Sequence, residues 1–81
     1  KMPDREMIKK YISVTAGVQH GRPCIKGTRT PVHIILEALA CGMTPEEIKR
    51  EYGPISDEAI RACILFAALL ADEEELLNQP A

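Results

Sequence analysis

Apolar and polar positions change period along the chain, and each change predicts an element. Tyr11-Ile12-Ser13-Val14-Thr15 alternates apolar and polar side chains and is rich in β-branched residues, which predicts a short strand ended by Ala16-Gly17. Pro23-Cys24-Ile25 predicts a second extended piece, closed by a Lys26-Gly27 turn. From residue 30 the period becomes helical. Thr30 before Pro31 reads as a capping hydroxyl followed by a proline at the first helical position, and Val32, Ile35, Leu36 and Leu39 form one stripe that stops at Gly42. Thr44-Pro45-Glu46-Glu47 is a stronger start, because Glu47 completes a capping box and meets the positive end of the helix dipole. That helix carries Ile48 and Tyr52 and stops at Gly53-Pro54. Ser56 caps a third helix with Asp57 and Glu58 in its first turn, running through Ile60, Cys63, Ile64, Ala67 and Leu70 to about Ala71. The expected fold is therefore mainly α, three helices preceded by a short β element. Its parts are a charged N-terminal segment (1–10), the folded domain (11–71) and an acidic tail (72–81).

Composition sharpens this picture at two points. With 81 residues, 46% of them apolar and only Tyr11, Tyr52 and Phe66 aromatic, the chain has one aliphatic core of modest size, and burial against a partner subunit is expected to add to it. Ala62–Ala71 is apolar around its whole circumference, which predicts burial on several sides. Ile12, Val14, Leu65, Phe66 and Leu69 are the expected dimer or partner contacts. The Ala62–Ala71 run of 10 residues is too short for a bilayer that needs about 20, and the charged N-terminal stretch does not read as a signal peptide, so a cytoplasmic protein is expected.

Candidate chemistry is sparse. Cys24, Cys41 and Cys63 stand 17 and 22 residues apart without a Cys-x-x-Cys pair, which fits reduced thiols acting as small apolar residues. His20 and Cys24 are four apart, but Gly21 and Pro23 break the helix that would align them, and zinc normally needs three or four convergent ligands. No nucleophile–base signature surrounds His20 or His33, and the glycines form no phosphate-cradling motif. The expectation is no catalysis, no metal and no cofactor.

Charge distribution says more than the net −2. Residues 1–36 hold seven basic side chains against two acidic, an excess of +5, while residues 37–81 hold three basic against ten acidic, an excess of −7. One half can face an anion while the other is solvated or meets a basic partner. Two helices joined by the four-residue Gly53–Ser56 turn, braced by a preceding helix, have the layout of a helix-turn-helix. In that reading Arg61 lies near the tip of the third helix, with Lys49 and Arg50 on the second, although Asp57 and Glu58 at the same tip disfavour phosphate. Arg22, Lys26 and Arg29, in a Gly- and Pro-punctuated stretch, are a second candidate DNA contact. Against both stands an interaction module without DNA affinity, with Arg29 paired to Glu37 or another chain's acid and Gly27 serving only a tight turn.

The run Gly21-Arg22-Pro23-Cys24-Ile25-Lys26-Gly27-Thr28-Arg29-Thr30-Pro31-Val32 resembles the signature of the bacterial domain-of-unknown-function family 433. The Ile34–Leu39 helix, Gly42-Met43-Thr44-Pro45-Glu46-Glu47-Ile48, Tyr52 and the Ile55–Ala59 start also match, so the likeness covers about residues 8 to 70. Cys24 stands where that signature usually has valine, and Gly53 where an aromatic residue precedes the proline. The resemblance implies a homeodomain-like helix-turn-helix and an antitoxin of a type II toxin–antitoxin pair. Such a protein binds operator DNA as a dimer and neutralises a nuclease-like toxin of PIN-type fold.

Overall fold

A computed structural model describes residues 4–72. Helix α1 spans Asp4–Tyr11, strand β1 Ile12–Ser13 and β2 Cys24–Ile25, with a 3-10 turn at Gln19–Gly21 between the strands. Helices α2 (Val32–Ala40), α3 (Pro45–Tyr52) and α4 (Asp57–Asp72) follow. The fold is mainly helical with a two-stranded antiparallel sheet in which Ile12 opposes Ile25 and Ser13 opposes Cys24. No helix among the described residues is long and apolar enough to cross a membrane.

Two expectations are corrected at the N-terminal end. Residues Asp4–Tyr11, most of the charged segment with Tyr11, form a helix, and the strand shrinks to two residues. Met7, Ile8 and Tyr11 lie on one face of α1 and pack against the core, while Arg5, Glu6, Lys9 and Lys10 remain exposed. Eight residues form no stable helix alone, so α1 depends on packing against α4. The second correction concerns Thr30, which does not cap α2. Pro31 is the N-cap and makes no side-chain bond.

The reason lies in how residues 23–32 close on themselves. Gly27 takes φ +82°, the left-handed position of a turn in which the Thr28 N–H donates to the Ile25 carbonyl at 3.0 Å. The Thr28 hydroxyl donates to that carbonyl at 2.7 Å and accepts from the Thr30 N–H at 3.0 Å. The Thr30 carbonyl accepts from Ile25 N–H, and Val32 N–H donates to the Pro23 carbonyl. Thr30 is thus consumed by a hairpin that launches α2.

The other boundaries follow local chemistry. Helix α2 ends in a Schellman turn, with Met43 N–H on the Ala38 carbonyl, Gly42 N–H on the Leu39 carbonyl and Gly42 at φ +95°. Thr44 and Glu47 form the expected reciprocal capping box, and the Ser56 hydroxyl accepts from Ala59 N–H at 3.0 Å. The core is aliphatic, centred on Ile35, Ile48 and Cys63, which are completely buried.

Candidate functional site

The predicted cations separate into three environments. Lys49 is engaged: its ammonium lies 2.6 Å from an Asp57 carboxylate oxygen across the α3–α4 turn, and this contact raises its pKa. Arg61 lines a recess together with Glu46 and Asp57, an acidic setting at the start of α4 that repels phosphate. Arg50 is exposed on the last turn of α3. Arg61 therefore stands at the start of α4 among acids, while Lys49 is turned toward Asp57 and Arg50 faces solvent.

The loop cations divide as well. Arg22 reaches across to α2, where its Nη1 lies 3.4 Å from His33 Nε2, and His33 Nδ1 faces Glu37 at 3.6 Å. Glu37 is therefore turned toward His33, and no ion pair joins it to Arg29 among the described residues. Lys26 donates to the Lys9 carbonyl at 2.5 Å and so caps the C-terminal turn of α1. Arg29 is exposed on the hairpin.

A group that sequence reasoning missed is formed by Lys10 with Lys26. Both line a recess of about 280 Å³ with Tyr11, Ile25, Pro54, Ile55, Ser56 and Ala59, and no carboxylate lines it. The Lys9 backbone receives the Lys26 ammonium beside this recess. Only the fold joins the end of α1 to the β2 turn, so spacing along the chain carried no sign of it.

The apolar candidates also divide. Ile12 is only 7% exposed and belongs to the chain's own core, where it opposes Ile25, so it leaves the list of partner contacts. Val14, at 64%, is exposed. Leu65, Phe66 and Leu69 are half-buried on α4, and Leu70 is 56% exposed. Two recesses flank this half of α4. One of about 440 Å³ is lined by Pro23, Val32, Leu36, Phe66, Ala67 and Leu70, with Arg22 and His33. The other, of about 280 Å³, is lined by Ile8, Phe66, Leu69 and Leu70, with Arg5, Lys9 and Asp72.

Titration adds two facts. Bonds from the backbone and then the hydroxyl of Thr44 hold the Glu47 carboxyl below its ordinary value. Burial pushes the Cys63 thiol up to about 11, so it stays protonated at neutral pH. Among the described residues no three His, Cys, Asp or Glu side chains converge as a metal cluster.

No curated protein matches the chain. A crystal structure of a DUF433 member protein from Anabaena variabilis ATCC 29413 is similar in fold, with a TM-score of 0.72 and 23% identity over 85% of this chain and 68% of that one. The model of the family described as "Protein of unknown function (DUF433)" matches residues 12–67, more than half of the sequence, including the hairpin and all of α2 and α3. The chain belongs to the DUF433 family.

Proposed function

We propose that this protein is a dimeric DNA-binding regulator, the antitoxin of a type II pair, which assembles through the C-terminal half of α4. Its DNA contacts are phosphates met by Lys10 and Lys26, with Arg22 and Arg29 on the adjoining loop and hairpin. The observation that carries this reading is the recess between α1, β2 and the α3–α4 turn, which has two lysines and no carboxylate. The order α3, four-residue turn, α4 supports a helix-turn-helix, but in this version the turn and the cations beside it approach the backbone. Lys49 is paired with Asp57, and Arg61 shares its recess with Glu46 and Asp57, which supports a small contribution of both to binding.

Fluorescence anisotropy with duplex DNA from upstream of the gene, titrated at two salt concentrations, tests the proposal. Each lysine that meets a phosphate adds about −0.9 to the log–log salt slope, so Lys10→Ala should flatten it by about one unit. Lys26→Ala should do the same, with some loss of α1 order, because its ammonium also caps that helix. Arg61→Ala should leave the slope unchanged. Antitoxin action predicts that co-expression relieves growth arrest caused by a nuclease encoded beside the gene.

One observation favours a second reading, an interaction module without DNA affinity: the first turn of α4 is acidic, with Asp57 and Glu58. Absence of binding at about 50 mM salt, where phosphate contacts are strong, would select it.

A further inference from the structure

The recess between α2 and α4 has an apolar floor of Val32, Leu36, Phe66 and Leu70, with Arg22 and His33 at its polar edge. At about 440 Å³ it has the size, the apolar walls and the few polar groups of a small-molecule site. The edge is held in place from several directions. Gln19 and His20 stand at φ +49° and +58°, left-handed positions that strain non-glycine residues and cluster at functional sites. Their turn closes with the Arg22 N–H donating to the Gln19 carbonyl at 3.0 Å, and the Arg22 carbonyl accepts from the Cys24 thiol at 3.4 Å. The Pro23 carbonyl accepts from the Val32 N–H at 2.9 Å, which ties the edge to the first residue of α2.

The side chains at this edge are ordered by their own chemistry. An arginine only donates, so His33 Nε2, 3.4 Å from Arg22 Nη1, is the acceptor, and the ring proton sits on Nδ1 facing Glu37 at 3.6 Å. The guanidinium keeps its other N–H groups for an anion, and no ion pair among the described residues uses it. We propose that this recess binds a small aliphatic monocarboxylate, its chain on Val32, Leu36, Phe66 and Leu70 and its carboxylate on the Arg22 guanidinium.

Charge selects this occupant. A planar carboxylate takes two parallel N–H bonds from one guanidinium, and one cation matches one negative charge. A doubly charged phosphate head fits less well, because Glu37 beyond His33 opposes the second charge. Between Ala59 and Ala71 the chain has no acid, so that stretch of a second copy's α4 covers the floor without meeting Arg22, whereas the ligand does both. The site needs neither DNA nor a dimer and so goes beyond the proposed regulator. It bears on that reading at one point: a ligand over Phe66 and Leu70 occupies the half of α4 assigned to assembly, and it should displace a second copy.

Amide NMR of the full chain, titrated with octanoate and with 1-octanol as the uncharged control, tests this. Octanoate should saturate one site per chain with a Kd below about 1 mM, with shifts centred on Val32, Leu36, Phe66 and Leu70. 1-Octanol should bind about tenfold more weakly, since it lacks the charged partner for Arg22. Arg22→Gln, at an exposed position, should bring octanoate down to that level and leave 1-octanol binding as it was. Ala67→Phe fills the recess from its own wall and should abolish binding of both, with circular dichroism confirming the fold. Shifts that do not saturate by about 10 mM octanoate, ten times the weakest Kd expected, would overturn the proposal. Equal octanoate affinity in the wild type and Arg22→Gln would overturn it too. An affinity that falls as protein concentration rises marks competition with the dimer; a constant one tells against a dimer on this face and leaves the ligand site standing.

Discussion

The two halves of α4 are built from similar residues and meet different surroundings. In the first half, Ala59, Ile60, Ala62 and Cys63 are all at most 4% exposed, enclosed by the core. In the second half, Phe66 and Leu69 are half-buried and Leu70 is 56% exposed. Apolar residues all round a helix imply neighbours on every side; the single chain supplies them for Ala59, Ile60, Ala62 and Cys63 but leaves Ile64, at 50%, and Leu70 largely in water. On the proposed function, assembly uses the less enclosed half.

The largest expected effect lies in the enclosed half. Ile60→Ala removes a side chain that is 4% exposed, and should lower unfolding stability by about 2–5 kcal/mol in urea titrations. A loss below about 1 kcal/mol would mean that the two halves do not differ. The same half shields its thiol. Exposed Cys41 should react quickly with a thiol reagent at neutral pH, whereas Cys24 and Cys63 should wait for unfolding. Because burial raises the Cys63 pKa from 9.0 to about 11, its contribution to stability is fully present below pH 9.0 and is lost as pH rises through about 11.

Phe66→Ala comes next. The ring is half-buried, so the isolated chain should lose roughly 1–2 kcal/mol, less than full burial would imply. Dimer formation, followed by light scattering, should weaken more than folding does. An equal loss in both would place Phe66 in the core and not at an interface.

Ser56→Ala tests how the enclosed half is held in place, since it removes the acceptor for Ala59 N–H at the start of α4. About 1 kcal/mol should be lost, with no change in the dimer constant. This cap, like the Thr44–Glu47 box, was legible in the sequence because both partners lie within one turn of each other. Helix α1 was not legible: its Met7, Ile8 and Tyr11 face is diluted by charges and acquires meaning only against α4. Thr30 misled for a similar reason, because its backbone is engaged by Ile25 in the hairpin, a competing use that capping rules do not weigh. The candidate site was legible residue by residue but not as a set. Lys26 was visible and its neighbour Lys10 was not, and the Lys49–Asp57 contact across the α3–α4 turn forms only in the folded chain.

The smallest expected effect on folding, and the sharpest contrast, comes from Leu70→Ser. More than half of this side chain is in water already, so the stability of the isolated chain should fall by less than about 1 kcal/mol. Leu70 nevertheless lines the recesses on both sides of α4, so any partner that fills either one must touch it. Binding that favours the folded state adds to its stability by mass action, so the wild-type melting temperature should climb with protein concentration. For Leu70→Ser the climb should be lost, while the value at the lowest concentration stays close to the wild type. A mutant whose melting temperature still rises with concentration would mean that assembly uses a different face. Val14, 64% exposed and remote in sequence from α4, would then be the next position to change.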